Sequence, residues 1–198
     1  LNSASNGKAA AVIKANAYGM GMIRVAKSLI ESGCNYFYVA NIDEGIQLRK
    51  EIKSKDITIA VFEGFLKGTE QTYEKYKLNP IINNLDQLMR LKKLVDQGYK
   101  IESILNIDTG MNRLGFSQNE ISMLLSNKEL LNFFEWDFIM SHLANAHQIE
   151  NKENFKQLDE ILKFSKYLPS IKLSLANSGG IMLGSKFCLD QTRPGIGL

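Results

Sequence analysis

Short apolar runs alternate with stretches of helical periodicity along the whole 198-residue chain, and no other feature restricts the fold as much. The runs begin near Ala10, Tyr36, Ile57, Asn79, Ser103, Phe138, Lys172 and Leu189. Several of them are near-continuous in apolar residues: Phe37 to Val39, Thr58 to Phe62, Ile104 to Ile107 and Phe138 to Met140. Strands buried on both faces read this way. Between them, Met22, Ile23, Ala26, Leu29 and Ile30 form a helical stripe closed by Gly33. Leu85, Leu88, Met89, Lys92 and Val95 form another, opened by Asn84 and stopped by Gly98. Ser117 and Glu120 make a capping-box pattern ahead of Ile121 and Leu124, and Phe155, Leu158, Ile161 and Leu162 mark a helix ending before Pro169. Strands alternating with helices imply an α/β fold with a parallel sheet and right-handed crossovers. About eight such units predict a TIM-type (β/α) barrel. The alternative is an open doubly wound sheet, which no G-x-G-x-x-G or Walker pattern supports.

A hydrophobic content of 44% suffices for one packed domain, and no apolar run reaches membrane-span length. A net charge of +3, scattered along the chain, argues against nucleic acid or an anionic membrane as partner. Cys34 and Cys188 lie in apolar contexts and read as reduced thiols, and no metal-ligand spacing is present. Residues 1–5 are polar and lack a leader-like apolar core, so a cytoplasmic location is expected. The chain starts without methionine and stops within what reads as a strand. A fragment of a longer protein, with a barrel incomplete at both ends, is therefore expected.

In such a barrel the active site lies at the C-terminal ends of the strands. The polar residues falling there are Lys14, Tyr18, Asn41, Asp43, Asn106, Asp108, Arg113, His142, Asn177, Ser178 and Arg193. Lys14 follows a buried strand, where a lysine is costly unless solvated, paired or chemically used. It either snorkels into water or serves as a desolvated amine that attacks a carbonyl. A glycine turn is expected after it, before the helix near Met22. Lysine, tyrosine, two arginines, histidine and serine at one rim suit an anionic aromatic cofactor better than a metal. Taken singly, the same residues have plainer readings: Tyr18 as a packed aromatic, Ser178 as an N-cap, His142 as a core residue and Arg113 as a surface ion pair. His147 reads as surface.

Five stretches carry more than their composition. They are Val12-Ile13-Lys14-Ala15-Asn16-Ala17-Tyr18-Gly19-Met20-Gly21, then Asn106-Ile107-Asp108-Thr109-Gly110-Met111-Asn112-Arg113-Leu114-Gly115-Phe116, and Ser141-His142-Leu143-Ala144. Ala176-Asn177-Ser178 and Arg193-Pro194-Gly195-Ile196-Gly197-Leu198 complete the set. In this order and spacing they resemble the pyridoxal-phosphate-binding barrel domain of the alanine racemases. The resemblance implies interconversion of L- and D-alanine for cell-wall precursors, by a homodimer whose C-terminal β domain supplies a second, tyrosine base. It implies that Lys14 carries pyridoxal 5'-phosphate and acts as one of two catalytic bases. Tyr18, Asn177, Ser178 and the amides of Gly195 and Ile196 would lie at the cofactor, most of them around its phosphate. Arg193 would face the pyridine nitrogen with His142 as its buttress, and Arg113 would meet the phenolic oxygen and the substrate carboxylate.

Two positions depart from the family pattern. Met20 replaces a histidine, and Asn106 replaces a lysine that is carbamylated in many members and holds the arginine by its negative charge. Asparagine brings no charge. A small anion such as chloride between Asn106 and Arg113 is therefore expected, with Asp108 as the alternative counter-charge unless a turn occupies it. Other functional readings are a racemase of the same family for serine, lysine or a broad range of amino acids, a pyridoxal-phosphate carrier without racemase activity, and a barrel binding some other phosphate ligand.

Overall fold

The computed structural model describes residues 9–198. Residues 1–5, on which the reading of a missing leader rests, lie outside the described residues. Among the described residues, seven parallel strands form one sheet in sequential order: β1 (Ala11–Val12), β2 (Tyr36–Val39), β3 (Thr58–Val61), β4 (Asn79–Ile82), β5 (Ser103–Asn106), β6 (Trp136–Met140) and β7 (Lys172–Ser174). A doubly wound sheet reverses its strand order at a switch point, so the sequential order excludes that alternative.

The eighth strand expected near Leu189 is not a regular strand. Leu189 takes a left-handed backbone conformation, φ 45°, which interrupts extended pairing. The residues after it make single parallel bridges, Gln191 to Ser174 on β7 and Thr192 to Ala9 beside β1. The amides of Ala10 and Val12 donate to the Thr192 and Pro194 carbonyls at 2.9 and 2.8 Å, and the Arg193 amide donates to the Ala176 carbonyl at 2.8 Å. Both edges of the sheet thus meet one segment, residues 191–194, and the sheet curls on itself.

Side chains alternate across the curled sheet. Val12, Tyr38, Ala60, Ile81, Ile104, Phe138 and Met140 pack in one cluster inside the curl. Their neighbours Ile13, Phe37, Val39, Ile59, Val61, Ile82, Leu105 and Ile139 belong to a second cluster beneath the helices. Residues such as Phe37, Ile59 and Val61 have no exposed surface, and burial of each contributes about 1.5–3 kcal/mol.

The helical segments are α1 (Lys14–Tyr18), a single left-handed turn, and the helices α2 (Met22–Glu31), α3 (Ile42–Glu51), α4 (Glu70–Tyr76), α5 (Leu85–Asp96), α6 (Gln118–Ser126), α7 (Lys128–Asn132), α8 (Lys152–Ser165) and α9 (Ser178–Met182). Their ends follow the expected chemistry. Gly33, φ 90°, lies just past α2, and the Cys34 amide returns to the Leu29 carbonyl. Asn84 accepts the Gln87 amide at the start of α5, and Ser117 and Glu120 form both bonds of a capping box at α6. Among the described residues, no helix is long and apolar enough to cross a membrane.

Candidate active site

The turn after Lys14 is not made by glycines first. Ala15, Asn16, Ala17 and Tyr18 all take left-handed conformations, with φ between 51° and 55°. Each costs on the order of 1–2 kcal/mol relative to a right-handed turn. Only then do Gly19 and Gly21, at φ 91° and 96°, lead into α2. Several hydrogen bonds hold the turn, among them three that tie it to its surroundings and close its ends. The Ala17 amide donates to the Ile13 carbonyl at 2.8 Å, the Met22 amide to Asn16 Oδ1 at 2.8 Å, and the Ala15 amide to Glu44 Oε1 at 2.8 Å. This turn brings Lys14 and Tyr18 to the same cavity.

That cavity measures about 610 Å³ and opens at the C-terminal ends of the strands. Lys14, Tyr18, Arg113, His142, Asn177, Ser178, Arg193, Gly195 and Ile196 all line it. So do Val12, Ala40, Phe62, Glu63, Leu114 and Gly179, which sequence reasoning did not single out. Phe62 and Glu63 directly follow β3, so the strand-end rule applied to the other strands would have found them. Asn41 and Asp43 are not brought in. Asn41 Oδ1 accepts the Glu44 amide as the N-cap of α3, and Asp43 is exposed. His147 is exposed as expected.

Lys14 is half-buried, and its Nζ lies 5.6 Å from the centroid of the Phe62 ring. Burial lowers its pKa first, the Arg113 cation lowers it further, and the Glu44 carboxylate raises it. The amine is thus easier to deprotonate than an exposed lysine.

Arg193 is 2% exposed. Its Nη1 donates to Ser174 Oγ, and its Nη2 to the carbonyls of Ser141 and Leu175. His142 does not buttress it by a hydrogen bond, contrary to expectation. The contact His142 makes is to Asn177 Nδ2, 3.1 Å from its Nε2. Asn177 Oδ1 is taken by the Gly180 amide at 2.8 Å, so the Asn177 amide group donates and His142 Nε2 accepts. Burial, then the Arg193, Arg113 and Lys14 cations, push the imidazole down to about 3. It is neutral, with its proton on Nδ1.

Arg113 stands on a loop pinched by the Ile107–Phe116 bridge. Asp108 Oδ1 fills that loop, accepting the amides of Gly110, Met111 and Asn112 at 2.9, 2.8 and 3.1 Å. Gly115 is required there, since a β-carbon would sit 2.7 Å from the Asp108 amide nitrogen. Asp108 therefore has the turn role. Among the described residues Arg113 makes no ion pair. Asn106 is 6% exposed, and its Nδ2 donates to Asn83 Oδ1 at 2.7 Å.

A buried amide ties these loops together from behind. Gln157, 2% exposed on α8, donates through Nε2 to Thr109 Oγ1 at 3.2 Å and to the His142 carbonyl at 2.9 Å. Its Oε1 accepts the Ala144 amide at 2.9 Å. Thr109 Oγ1 in turn meets Ser141 Oγ at 2.7 Å. No sequence signal separated Gln157 from the apolar stripe around it.

At the other side of the cavity, Ser178 Oγ accepts the amides of Gly195 at 3.0 Å and Gly197 at 3.1 Å. Ile196, between these two glycines, lines the cavity, and its side chain is 81% exposed. The Tyr18 hydroxyl packs directly over Gly195. Among the described residues, no group of three or more His, Cys, Asp or Glu could hold a metal ion.

The family model for the alanine racemase N-terminal domain matches residues 1–198. An alanine racemase of Rickettsia canadensis (strain McKiel) is 41% identical over 194 residues, covering 95% of this chain and 53% of that relative. One from Rickettsia typhi is 41% identical over 189 residues, covering 95% and 47%. A crystal structure of alanine racemase from Bartonella henselae with covalently bound pyridoxal phosphate superposes with a TM-score of 0.90 at 37% identity, covering 96% of this chain and 55% of that one. An alanine racemase of Clostridium difficile 630 in complex with cycloserine superposes with a TM-score of 0.83 at 26% identity, covering 96% and 53%. The chain spans about half the length of the relatives it matches.

Proposed function

The chain belongs to the alanine racemase N-terminal domain family, and on that premise we propose that it is the cofactor-bearing barrel of a racemase interconverting L- and D-alanine. The observation that carries this reading is the single cavity shared by Lys14, Tyr18, Arg113, Ser178 and Arg193. One amine, two guanidinium groups, two hydroxyls and close-approach glycines suit a phosphorylated aromatic aldehyde. Gly195 supports the fit, because any β-carbon there would fill the space taken by Tyr18.

The residues would divide the work as follows. The Lys14 amine, made less basic by burial and Arg113, would hold pyridoxal phosphate covalently. Tyr18, Ser178 and the amides converging on Ser178 would hold its phosphate. Arg193, fixed by Ser174, Ser141 and Leu175, would direct a permanent donor at the ring nitrogen and keep a proton off it. When bound, the cofactor supplies an electron sink for the α-carbon of the amino acid. Lys14, once its amine is released, would move the α-proton on one face. Two-sided transfer needs a second base. We assign it to a tyrosine of a further β domain, presented by the partner in a homodimer, which the greater length of the relatives supports.

Arg113 lacks a protein counter-charge among the described residues, Asp108 is committed to loop amides and Asn106 is neutral. This supports a small anion such as chloride near Asn106 and Arg113.

The test is borohydride reduction of the full-length protein followed by peptide mapping. The label is expected on Lys14, with loss of a visible chromophore. A label elsewhere, or no chromophore, would overturn the reading.

A further inference from the structure

Glu44 lies outside the cavity lining, yet both its carboxylate oxygens reach the residues that shape the lysine's surroundings. Oε1 accepts the Ala15 amide at 2.8 Å, and Oε2 accepts the Ala40 amide at 2.7 Å. Ala15 directly follows Lys14, and Ala40 directly follows β2. The carboxylate is aimed by its own helix. Glu44 sits in the first turn of α3, where Asn41 Oδ1 accepts its amide at 3.0 Å. Ala15 is also the first of four consecutive left-handed residues, so the bond falls at the start of the costly turn.

We propose that Glu44 is a positioning residue for Lys14: its carboxylate clamps the Lys14–Ala15 peptide to the end of β2 and sets the direction of the amine. This deepens the reading of Lys14 as the cofactor lysine and rests on it. The clamp also carries a charge. Around Lys14 stand Arg113, His142 and Arg193 from the loops after β5, β6 and β7, Glu63 after β3, and Tyr18 on the same turn. Burial and Arg113 favour the neutral amine, whereas Glu44 favours the ammonium ion. Glu44 therefore sets how far the amine is deprotonated as well as where it points. A glutamine cannot replace it, because two amides approach and only one side-chain oxygen would remain to accept.

The test uses the full-length protein and three variants, Glu44→Gln, Glu44→Asp and, as an exposed control on the same helix, Lys50→Ala. Trace acetylation of Lys14 after cofactor removal reads the free amine. Amide hydrogen exchange at Ala15 and Ala40 reads the clamp. In Glu44→Gln, acetylation at fixed pH below the Lys14 midpoint should rise roughly threefold or more, since loss of the anion favours the free amine. Exchange at both amides should also quicken, and the pH at which the visible band changes should fall. Glu44→Asp keeps the charge one methylene short, so exchange should quicken while acetylation stays near wild type. It also serves if Glu44→Gln fails to fold. Unchanged acetylation and exchange in Glu44→Gln would overturn the proposal, and equal acceleration of acetylation in both variants would overturn the charge assignment. A wild-type protein with no chromophore would sink the cofactor reading, while the acetylation and exchange arms would still test Glu44.

Discussion

A β-carbon on Gly195 would stand 2.3 Å from the Tyr18 hydroxyl oxygen and 2.9 Å from its ring carbons. Gly195 is therefore glycine because an aromatic ring needs its space, not because its backbone demands it. Gly195→Ala should push Tyr18 off the phosphate side of the cavity. Cofactor retention, read by equilibrium dialysis against pyridoxal phosphate, should weaken about tenfold, the loss of one charge-assisted hydrogen bond. Tyr18→Phe should weaken it similarly. Retention at the wild-type level in both variants would show that this pair does not hold the phosphate.

Gln157 holds two loops and the His142 backbone with one buried amide. Gln157→Leu keeps the volume but strands the Ala144 amide and removes the bonds to the His142 carbonyl and to the Thr109 hydroxyl, which keeps Ser141 as a partner. Urea unfolding should show a loss of about 2–4 kcal/mol. The neighbouring exposed change Lys156→Ala should stay within about 0.5 kcal/mol. A Gln157→Leu protein as stable as wild type would mean that the loops support themselves.

His142 gives a pH-dependent stability with a definite sign. Its folded pKa, about 3, lies below the ordinary value of 6.5. The unfolded chain therefore binds this proton first as pH falls. The contribution is complete above 6.5 and is lost between 6.5 and about 3, at a slope of up to ~1.4 kcal/mol per pH unit. His142→Asn should flatten the stability profile over that window and leave it unchanged at higher pH. Parallel profiles for the two proteins below pH 6.5 would refute the buried neutral imidazole.

The proposed anion near Asn106 is tested by racemisation in the full-length protein at constant ionic strength, with chloride replaced by a bulky organic anion. Activity should fall without chloride and should not respond to bicarbonate. Independence from both, with Asp108→Asn abolishing activity, would make Asp108 the counter-charge. Asn106→Lys should transfer the dependence from chloride to bicarbonate.

The parts legible in the sequence were those fixed by local chemistry. Apolar runs placed seven strands, and Asn84, Ser117 and Gly33 marked helix ends because caps act within a few residues. The family wording brought nine site positions into one cavity. What stayed hidden depends on partners distant in the chain. Of the four left-handed residues 15–18, only Asn16 favours that conformation; Ala15, Ala17 and Tyr18 carry no turn signal, and the turn stands on Glu44 from another helix. The eighth strand read as a run of suitable residues, yet Leu189 turns left-handed and only bridges remain. Gln157 looked like one more helix residue, because its partners lie on loops that no periodicity describes. His142 was expected to buttress Arg193, but the side-chain hydrogen bond of its ring goes to Asn177 Nδ2.

The bridges from residues 191–194 to Ala9 on one side and Ser174 on the other also impose an order of events during synthesis. Lys14 leaves the ribosome long before Arg193. Until residues 191–194 emerge and join the two edges of the sheet, no nascent chain possesses both groups in one place. A ribosome stalled before residue 193 would display the lysine without its guanidinium neighbour. Any ligand that needs both groups can therefore be held only once residues 191–194 have joined the two edges of the sheet.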